Sequence, residues 1–194
     1  DATWEMCQRA CDRHGWYNRN AAVNPTLVEG KKTGGLEIAE QCGDEVPDWV
    51  AVSVGDGCTI AGIGKGLLEM KALGFIPRVP RLLGVQAAGA RPLVDGFAAG
   101  HDLVPGPAET LADSICVGHP RNWRKALAVV RASGAAFVAV TDEAILDAQR
   151  ETVAANAFAH ATLAAVSSQI CVLDASGVIL AVNQAWRDFY ALNL

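Results

Sequence analysis

Residues 48–73 place a strand, a glycine turn and a helix in direct succession, and this order constrains what the chain can fold into. Residues 49–54 form a β-rich run that predicts a buried strand, Gly-Asp-Gly interrupts it at residues 55–57, and apolar residues then recur at helical spacing. Glycines let backbone N–H groups approach a phosphate, and the dipole at a helix N-terminus favours its negative charge. The stretch therefore predicts an anion-binding loop made of Gly55, Asp56, Gly57, Cys58 and Thr59.

The glycine pattern of this loop is weak evidence by itself. It matches neither the dinucleotide-binding pattern GxGxxG nor the P-loop pattern GxxxxGK[ST]. An ordinary turn between a strand and a helix, without a ligand, is therefore the alternative. In the anion-binding interpretation, Cys58 or Thr59 lies in the first helical turn, where the Thr59 hydroxyl could donate a further hydrogen bond.

The composition is that of a globular protein. Of the 194 residues, 51% are hydrophobic and 19% are charged, which supplies enough apolar material for a large core. The net charge of -5 argues against general nucleic-acid binding, which needs a basic surface. Gly, Asp or Arg interrupt the longest apolar runs, so no membrane span is predicted, and the charged N-terminal residues do not fit a signal peptide.

The six cysteines are spaced widely and irregularly, apart from Cys7 and Cys11 on one face of a predicted helix. A structural zinc site needs a second pair, which is absent, and the four histidines form no metal-binding pattern. We therefore predict no metal site. The cysteines are expected to be small buried hydrophobic residues of a protein in the reducing cytoplasm.

Strands and helices alternate over the first 150 residues. The periodicity predicts strands at residues 49–54, 82–87 and 135–140, and helices at residues 3–14, 31–42, 58–73, 92–99 and 121–132. A further helix is expected to begin at Asp142, and Glu29-Gly30 is expected to begin a loop. This alternation predicts an α/β fold, with a layered sheet and helices on both faces.

The C-terminal residues follow a different pattern. Strands are predicted at residues 168–175 and 178–182, joined by a Ser-Gly turn, and a helix is predicted from Gln184 onward. A β-hairpin and a helix thus replace the alternation near residue 155. We therefore predict two domains, at residues 1–150 and 157–194.

Several segments are familiar when taken together. WYNRN, NPTLVEGKKTGGLEIAEQ, VPDWVAVSVGDGCTIAGIGKG and LLGVQA follow one another in residues 16–87, and TLADSICVGHPRNWRKALAVVRASGAAFVAVTDEAIL occupies residues 110–146. Together they resemble threonine synthase, a pyridoxal-phosphate enzyme of the tryptophan-synthase-β fold type, over about residues 1–150. The resemblance implies that Gly55–Thr59 hold the cofactor phosphate, although family members often carry Asn in place of Cys58.

Two departures from that family bear on activity. The family's Schiff-base lysine lies upstream in a Ser-x-Lys-Asp-Arg context, followed by a Ser-Thr-Gly-Asn loop, and neither occurs here; the lysines are Lys31, Lys32, Lys65, Lys71 and Lys125. The C-terminal segment that contacts the pyridine nitrogen is also missing. The resemblance therefore implies a fragment or derivative that binds pyridoxal phosphate non-covalently at best, or only phosphate. As it stands, it is expected not to convert O-phosphohomoserine to threonine.

QICVLDASGVILAVNQAWRDFYALN, from residue 169 on, resembles the start of a PAS domain, since Asp174, Gly177, Ile179 and Asn183 match D-x-x-G-x-I-x-x-x-N. Only the first part of such a domain is present, so no complete ligand pocket is expected. A natural fusion, a truncated gene and a cloned fragment all fit this arrangement.

Two other kinds of function stay open. One is a non-catalytic binding module that self-associates as a homodimer or larger, because a parallel sheet must be covered on both faces and an unpaired strand edge pairs readily. The other is a recruited hydrolase-like activity that uses Cys58 or a bound metal. A small phosphorylated ligand is the expected partner besides a second copy of the chain.

Overall fold

The computed structural model describes residues 2–100, 102–165, 171–173, 178–182 and 184–192. The chain divides into two compact units, Asp1–Asp142 and Glu143–Leu194. The first unit contains α1 Ala2–His14, α2 Pro25–Cys42, β1 Trp49–Ser53, α3 Cys58–Ala72, β2 Arg81–Ala87, α4 Pro92–Ala99, α5 Trp123–Ala132 and β3 Phe137–Val140. At the start of the second unit, α6 Asp142–Ala165 runs without interruption past residue 155.

The strands of the first unit form one parallel sheet in the order β1-β2-β3. In its register Val52 lies beside Gly84, and Gly84 lies beside Phe137. Helix α3 connects β1 to β2, and α4 and α5 lie between β2 and β3. The prediction of an α/β fold with a parallel sheet and helices is confirmed.

The core lies on the sheet face that carries Leu82, Gly84 and Phe137. Leu82 is fully buried beneath α3, where a Cβ at Gly64 would lie 2.8 Å from its Cδ1 atom. Phe97 of α4 packs edge-on against Phe137, with 5.5 Å between ring centroids. The sequence predicted helices on both faces of the sheet. In this unit the contacts of α3 and α4 described above are all with the face that carries Leu82 and Phe137. On the other face Trp49 is 49% exposed, so the expectation of a buried first strand holds for one of its sides.

Helix α2 begins earlier than the sequence predicted, and the expected loop at Glu29-Gly30 is wrong. Asn24 caps the helix by accepting a hydrogen bond from Thr26 N, and Pro25 takes the first helical position. Glycines in the interior of α2 serve its packing. A Cβ at Gly35 would lie 2.3 Å from Ile63 O of α3, so the two helices cross too closely for any larger residue there.

The second unit contains α6, β4 Cys171–Leu173, β5 Ile179–Val182 and α7 Gln184–Leu192. Strands β4 and β5 are antiparallel, with Leu173 beside Ile179 and an irregularity next to Val172. The predicted turn at Ser176-Gly177, and Asp174 and Asn183 of the PAS pattern, lie outside the described residues. No helix within the described part of the chain is long and apolar enough to cross a membrane.

Candidate anion-binding site

The glycine loop joins the end of β1 to the start of α3. Val54 N donates to Val85 O at 2.8 Å, which holds the end of the first strand against the second. Gly57 has φ 91° and precedes the first residue of α3, and the first bond of the helix runs from Ala61 N to Gly57 O at 3.1 Å. The amides of the three residues before Ala61 therefore have no acceptor within the helix, as at any helix N-terminus. They belong to Cys58, Thr59 and Ile60.

These residues line a cavity of about 260 Å³. Its opposite wall consists of Ser114, Ile115 and Val117, which follow the loop by some sixty residues of chain. The glycines are required by close contacts. A Cβ at Gly55 would lie 3.0 Å from Val117 Cγ2, and one at Gly57 would lie 2.9 Å from the Cβ atom of Ala126 at a backbone angle that disfavours side chains.

The side chains of the predicted loop point to different neighbours. Cys58 Sγ lies 4.0 Å from Thr59 Oγ1, and both residues are half-buried and line the cavity. Asp56 instead hydrogen-bonds through both carboxylate oxygens to the residues that precede α5, accepting from Arg121 N and Asn122 Nδ2. The structure thus brings the five predicted residues together, with the Asp56 side chain bonded to the start of α5 rather than to its loop neighbours.

A larger cavity, of about 870 Å³, shares Asp56, Cys58 and Val117 with the loop cavity. Its far wall is formed by Trp4 of α1, whose ring centroid lies 3.9 Å from the Arg121 guanidinium carbon. The other residues around it include Cys7, Asn20, Cys116 and His119. An anion in the loop would therefore have room beside it for a bulkier group of the same ligand.

None of the five lysines lines the loop cavity. Lys32 and Lys65 instead form an ion cluster with Glu29 and Glu69 on α2 and α3, in which Lys32 Nζ lies 2.7 Å from Glu69 Oε2. The hydrogen bond to Glu69 raises the pKa of Lys32, and the hydrogen bond from Lys65 lowers the pKa of Glu29. Lys71 donates to Pro77 O at 3.3 Å.

The hydrolase-like alternative needs either a base beside Cys58 or a metal. The hydroxyl of Thr59 is the group that the Cys58 thiol contacts, and a hydroxyl is not a general base at neutral pH. In the described part of the chain, no group of three or more His, Cys, Asp or Glu side chains is arranged to hold a metal ion. His119 lines the larger cavity together with Cys58, so the thiol-based alternative stays a prediction.

Sequence reasoning missed the residues that face the loop. The wall at Ser114–Val117 and the hydrogen-bond donors at Arg121 and Asn122 lie in the segment 110–146 that carries the resemblance, but no pattern within it marks them as neighbours of the loop. The one available signal was indirect, since glycines at residues 55 and 57 imply that some other segment approaches closely. Sequence spacing cannot identify which segment that is.

Comparison with known proteins places this chain in a family. The family model described as "Pyridoxal-phosphate dependent enzyme" matches residues 1–176. The chain belongs to this family. The match extends into residues 157–194, the segment that was predicted to resemble the beginning of a PAS domain. The resemblance to a PAS domain stays a prediction.

Relatives within the family include threonine synthases. The chain is 37% identical over 153 residues to that of Methanosarcina acetivorans, which covers 78% of this chain and 38% of the relative. It is 41% identical over 131 residues to that of Methanocaldococcus jannaschii, covering 66% and 32%. The chain thus spans less than half the length of the curated relatives it matches.

Solved structures of similar fold include a maize serine racemase, with a TM-score of 0.51 and 25% identity over 64% of this chain and 36% of that one. Another is threonine deaminase isoform 2 from Solanum lycopersicum, with a TM-score of 0.56 over 69% of this chain and 36% of that one. At 21% identity, the second likeness concerns the fold alone.

The loop cavity fits a phosphate group by its own chemistry. Its amides at the N-terminus of α3 have no acceptor within the helix, the helix dipole favours an anion there, and Thr59 adds a hydroxyl. Glycine at position 55 lets the loop approach the wall at Ser114–Val117, where a Cβ would lie 3.0 Å from Val117 Cγ2. A phosphate ester of pyridoxal is an anion of the kind that such a loop binds.

Proposed function

We propose that this chain is the phosphate-binding part of a pyridoxal-phosphate enzyme of the threonine synthase type, and that Gly55–Thr59 hold the cofactor phosphate. The observation that carries the proposal is the N-terminus of α3, which lines a cavity shaped by two glycines. Family membership and the threonine synthase relatives support the choice of ligand. The relatives' reaction, formation of threonine, is what the whole enzyme would catalyse.

Each group of the loop has a part in this proposal. The amides of Cys58, Thr59 and Ile60 bind the phosphate oxygens, and the dipole of α3 offsets their charge. The cofactor, when bound, acts as an electron sink for the substrate carbanion. The larger cavity beside Cys58 accommodates the remainder of the ligand. In this proposal binding to the chain is non-covalent, because no lysine lines the loop cavity or the larger cavity that would hold the pyridoxal ring and its aldehyde.

Isothermal titration of the chain with inorganic phosphate, followed by displacement with pyridoxal phosphate, tests the assignment. Thr59→Val keeps the shape and removes the hydroxyl, and we expect it to weaken phosphate binding about tenfold, the typical effect of one hydrogen bond to a charged group. The matched control is Thr33→Val, whose hydroxyl donates to Gly30 O at 2.8 Å on the surface of α2. Equal affinities of the two variants, or failure of pyridoxal phosphate to displace phosphate, would contradict the proposal.

The non-covalent mode has its own test. Borohydride reduction of the chain with pyridoxal phosphate, followed by peptide mass spectrometry, should give no single lysine that is modified stoichiometrically. The isolated chain should also form no threonine from O-phosphohomoserine. A stoichiometric adduct at one lysine, lost together with activity on Lys→Arg substitution there, would refute non-covalent binding.

A second candidate is self-association of the chain through the exposed face of its sheet, with or without a ligand. The observation that favours it is the apolar surface around Trp49, which is 49% exposed, and Val138, which is 37% exposed. For either candidate function we propose a location in the cytoplasm, as the cysteine usage predicts.

A further inference from the structure

Asp56 is chemically out of place in an anion-binding loop, because its carboxylate would repel a bound phosphate. The structure gives it other partners. Its Oδ1 atom accepts from Arg121 N at 2.7 Å, and its Oδ2 atom accepts from Asn122 Nδ2 at 2.5 Å. Its backbone oxygen accepts from Asn122 N at 3.1 Å. Three hydrogen bonds therefore tie the loop to the residues directly before α5.

These partners lie at the N-terminus of α5, where a negative charge is favoured. Asn122 occupies the capping position of that helix and is 4% exposed, and its side chain makes no capping bond within the helix. The Asp56 carboxylate bonds to the two residues that precede α5, which places its negative charge beside the N-terminus of that helix. The positive end of α5 thus offsets the charge of Asp56, and the positive end of α3 is left for the ligand.

We infer that Asp56 is a positioning residue of the phosphate site. It holds Gly55–Thr59 in place through α5 and does not contact the ligand. This inference rests on the proposed phosphate-binding function and deepens it, because it assigns the loop's one carboxylate a role distinct from that of its neighbours. The loop amides keep their positions only while the bonds to Arg121 and Asn122 are intact.

A swap of the two side chains tests the inference. Asp56→Asn keeps the acceptor for Arg121 N but sets two amide groups against each other at position 122. Adding Asn122→Asp restores an acceptor there and the net charge of the pair. Asp142→Asn is the matched control, because the Asp142 carboxylate similarly ties Leu111 N, at 2.9 Å, to the start of another helix.

Inorganic phosphate affinity of the full chain, measured by calorimetry, is the first readout. We expect Asp56→Asn to weaken phosphate binding about tenfold, the double variant to recover most of that loss, and Asp142→Asn to bind as the unchanged chain does. Tighter binding by Asp56→Asn would mean that the carboxylate only repels the ligand. That result, or a double variant no better than the single one, would overturn the inference.

Amide hydrogen exchange of residues 55–59 without ligand is the second readout, and it separates this inference from the proposed function. Asp56→Asn should speed exchange in the loop, the double variant should restore protection, and Asp142→Asn should leave it unchanged. If the unchanged chain binds no phosphate, the proposed function fails, while faster loop exchange in Asp56→Asn still supports the positioning role. If the exchange rates of residues 55–59 in Asp56→Asn equal those of the unchanged chain, the positioning role is overturned, regardless of the phosphate affinities.

Discussion

The two faces of the parallel sheet differ sharply in how they are covered. Leu82 and Leu83 are neighbours on β2, yet Leu82 is fully buried under the helices and Leu83 on the opposite face is only partly buried. The exposed side continues onto the adjacent strands at Trp49, whose ring centroid lies 5.2 Å from the Arg81 guanidinium carbon, and at Val138. One layer of helices is therefore enough to give this sheet a core.

Parallel sheets are ordinarily covered on both faces, so the open face is the unusual one. Its residues include strand formers such as Val85 and Val138, beside the charged Arg81 at the start of β2. The covered face fixes the fold, and the open face is suited to a contact that the described helices of the first unit do not make. The predictions below test this division of roles, beginning with the largest expected effect.

Leu82→Ala should destabilise the chain far more than Leu83→Ala. Removing the fully buried side chain leaves a cavity under α3, and such changes cost about 2–5 kcal/mol of unfolding free energy. The same change one residue later removes a partly buried side chain and should cost less than about 1 kcal/mol. Urea unfolding of both variants measures the difference. Equal losses would mean that the second face is covered in solution.

Gly84→Ala should also destabilise, because a Cβ there would lie 2.3 Å from Phe137 Cδ1 on the covered face. Overpacking of this kind costs about 1–3 kcal/mol. Adding Phe137→Leu should recover part of the loss. The control is Gly30→Ala in α2, where no atom lies within 4 Å and alanine should stabilise the helix by about 0.5–1 kcal/mol. A neutral Gly84→Ala would show that the ring moves freely.

Val138→Lys should weaken the proposed self-association at least tenfold, equivalent to about 1.4 kcal/mol, with little effect on the fold. A charge placed at the centre of an apolar contact must be desolvated there, whereas in a monomer it stays in water. Phe75→Lys is the control, since Phe75 is 62% exposed and lies in the connection between α3 and β2, outside the strands of the sheet. Sedimentation equilibrium distinguishes the variants. A monomer at all micromolar concentrations would exclude the proposed dimer.

The local features of the fold could be predicted from the sequence. Helix α4 was expected at residues 92–99 and is confirmed at Pro92–Ala99, because proline suits its first turn and Gly100, with φ 70°, ends it. The strand and helix around the glycine loop were predictable for similar reasons. The helix predicted at residues 31–42 is shorter than α2 because Gly30 is a residue type typical of loops. A Cβ at Gly30 would meet no atom within 4 Å, whereas Gly35 of the same helix is required by its contact with Ile63 of α3, which sequence spacing does not identify.

In the candidate site, too, the local features could be predicted from the sequence and the contacts with distant segments could not. Gly55–Thr59 could be proposed from the strand, glycine and helix order alone. The direction of the Asp56 side chain could not, because its partners Arg121 and Asn122 are more than sixty residues away and no sequence pattern links them to the loop. The wall of the loop cavity at Ser114–Val117 could not be predicted for the same reason. Contacts over long sequence separations complete this site, and only the folded structure brings them together.

The smallest expected effect concerns the exposed ion cluster on the outer side of the helices, which should make stability depend weakly on pH. The pKa of Glu29 is lowered below its ordinary 4.5 by the hydrogen bond from Lys65, so its contribution is present above pH 4.5 and is lost as pH falls through the folded pKa. The pKa of Lys32 is raised above 10.5 by Glu69, so its contribution is present below pH 10.5 and lost as pH rises through the folded pKa.

Thermal melts between pH 7 and pH 3 check the acid limb. Glu29→Gln should reduce the fall in Tm over this range, and Glu37→Gln, an exposed position on the same helix, should not. The difference should be small and should shrink further in 1 M salt, because exposed ion pairs are strongly screened. A large effect of Glu29→Gln would mean that charge, and not burial on one sheet face, holds the helix layer together.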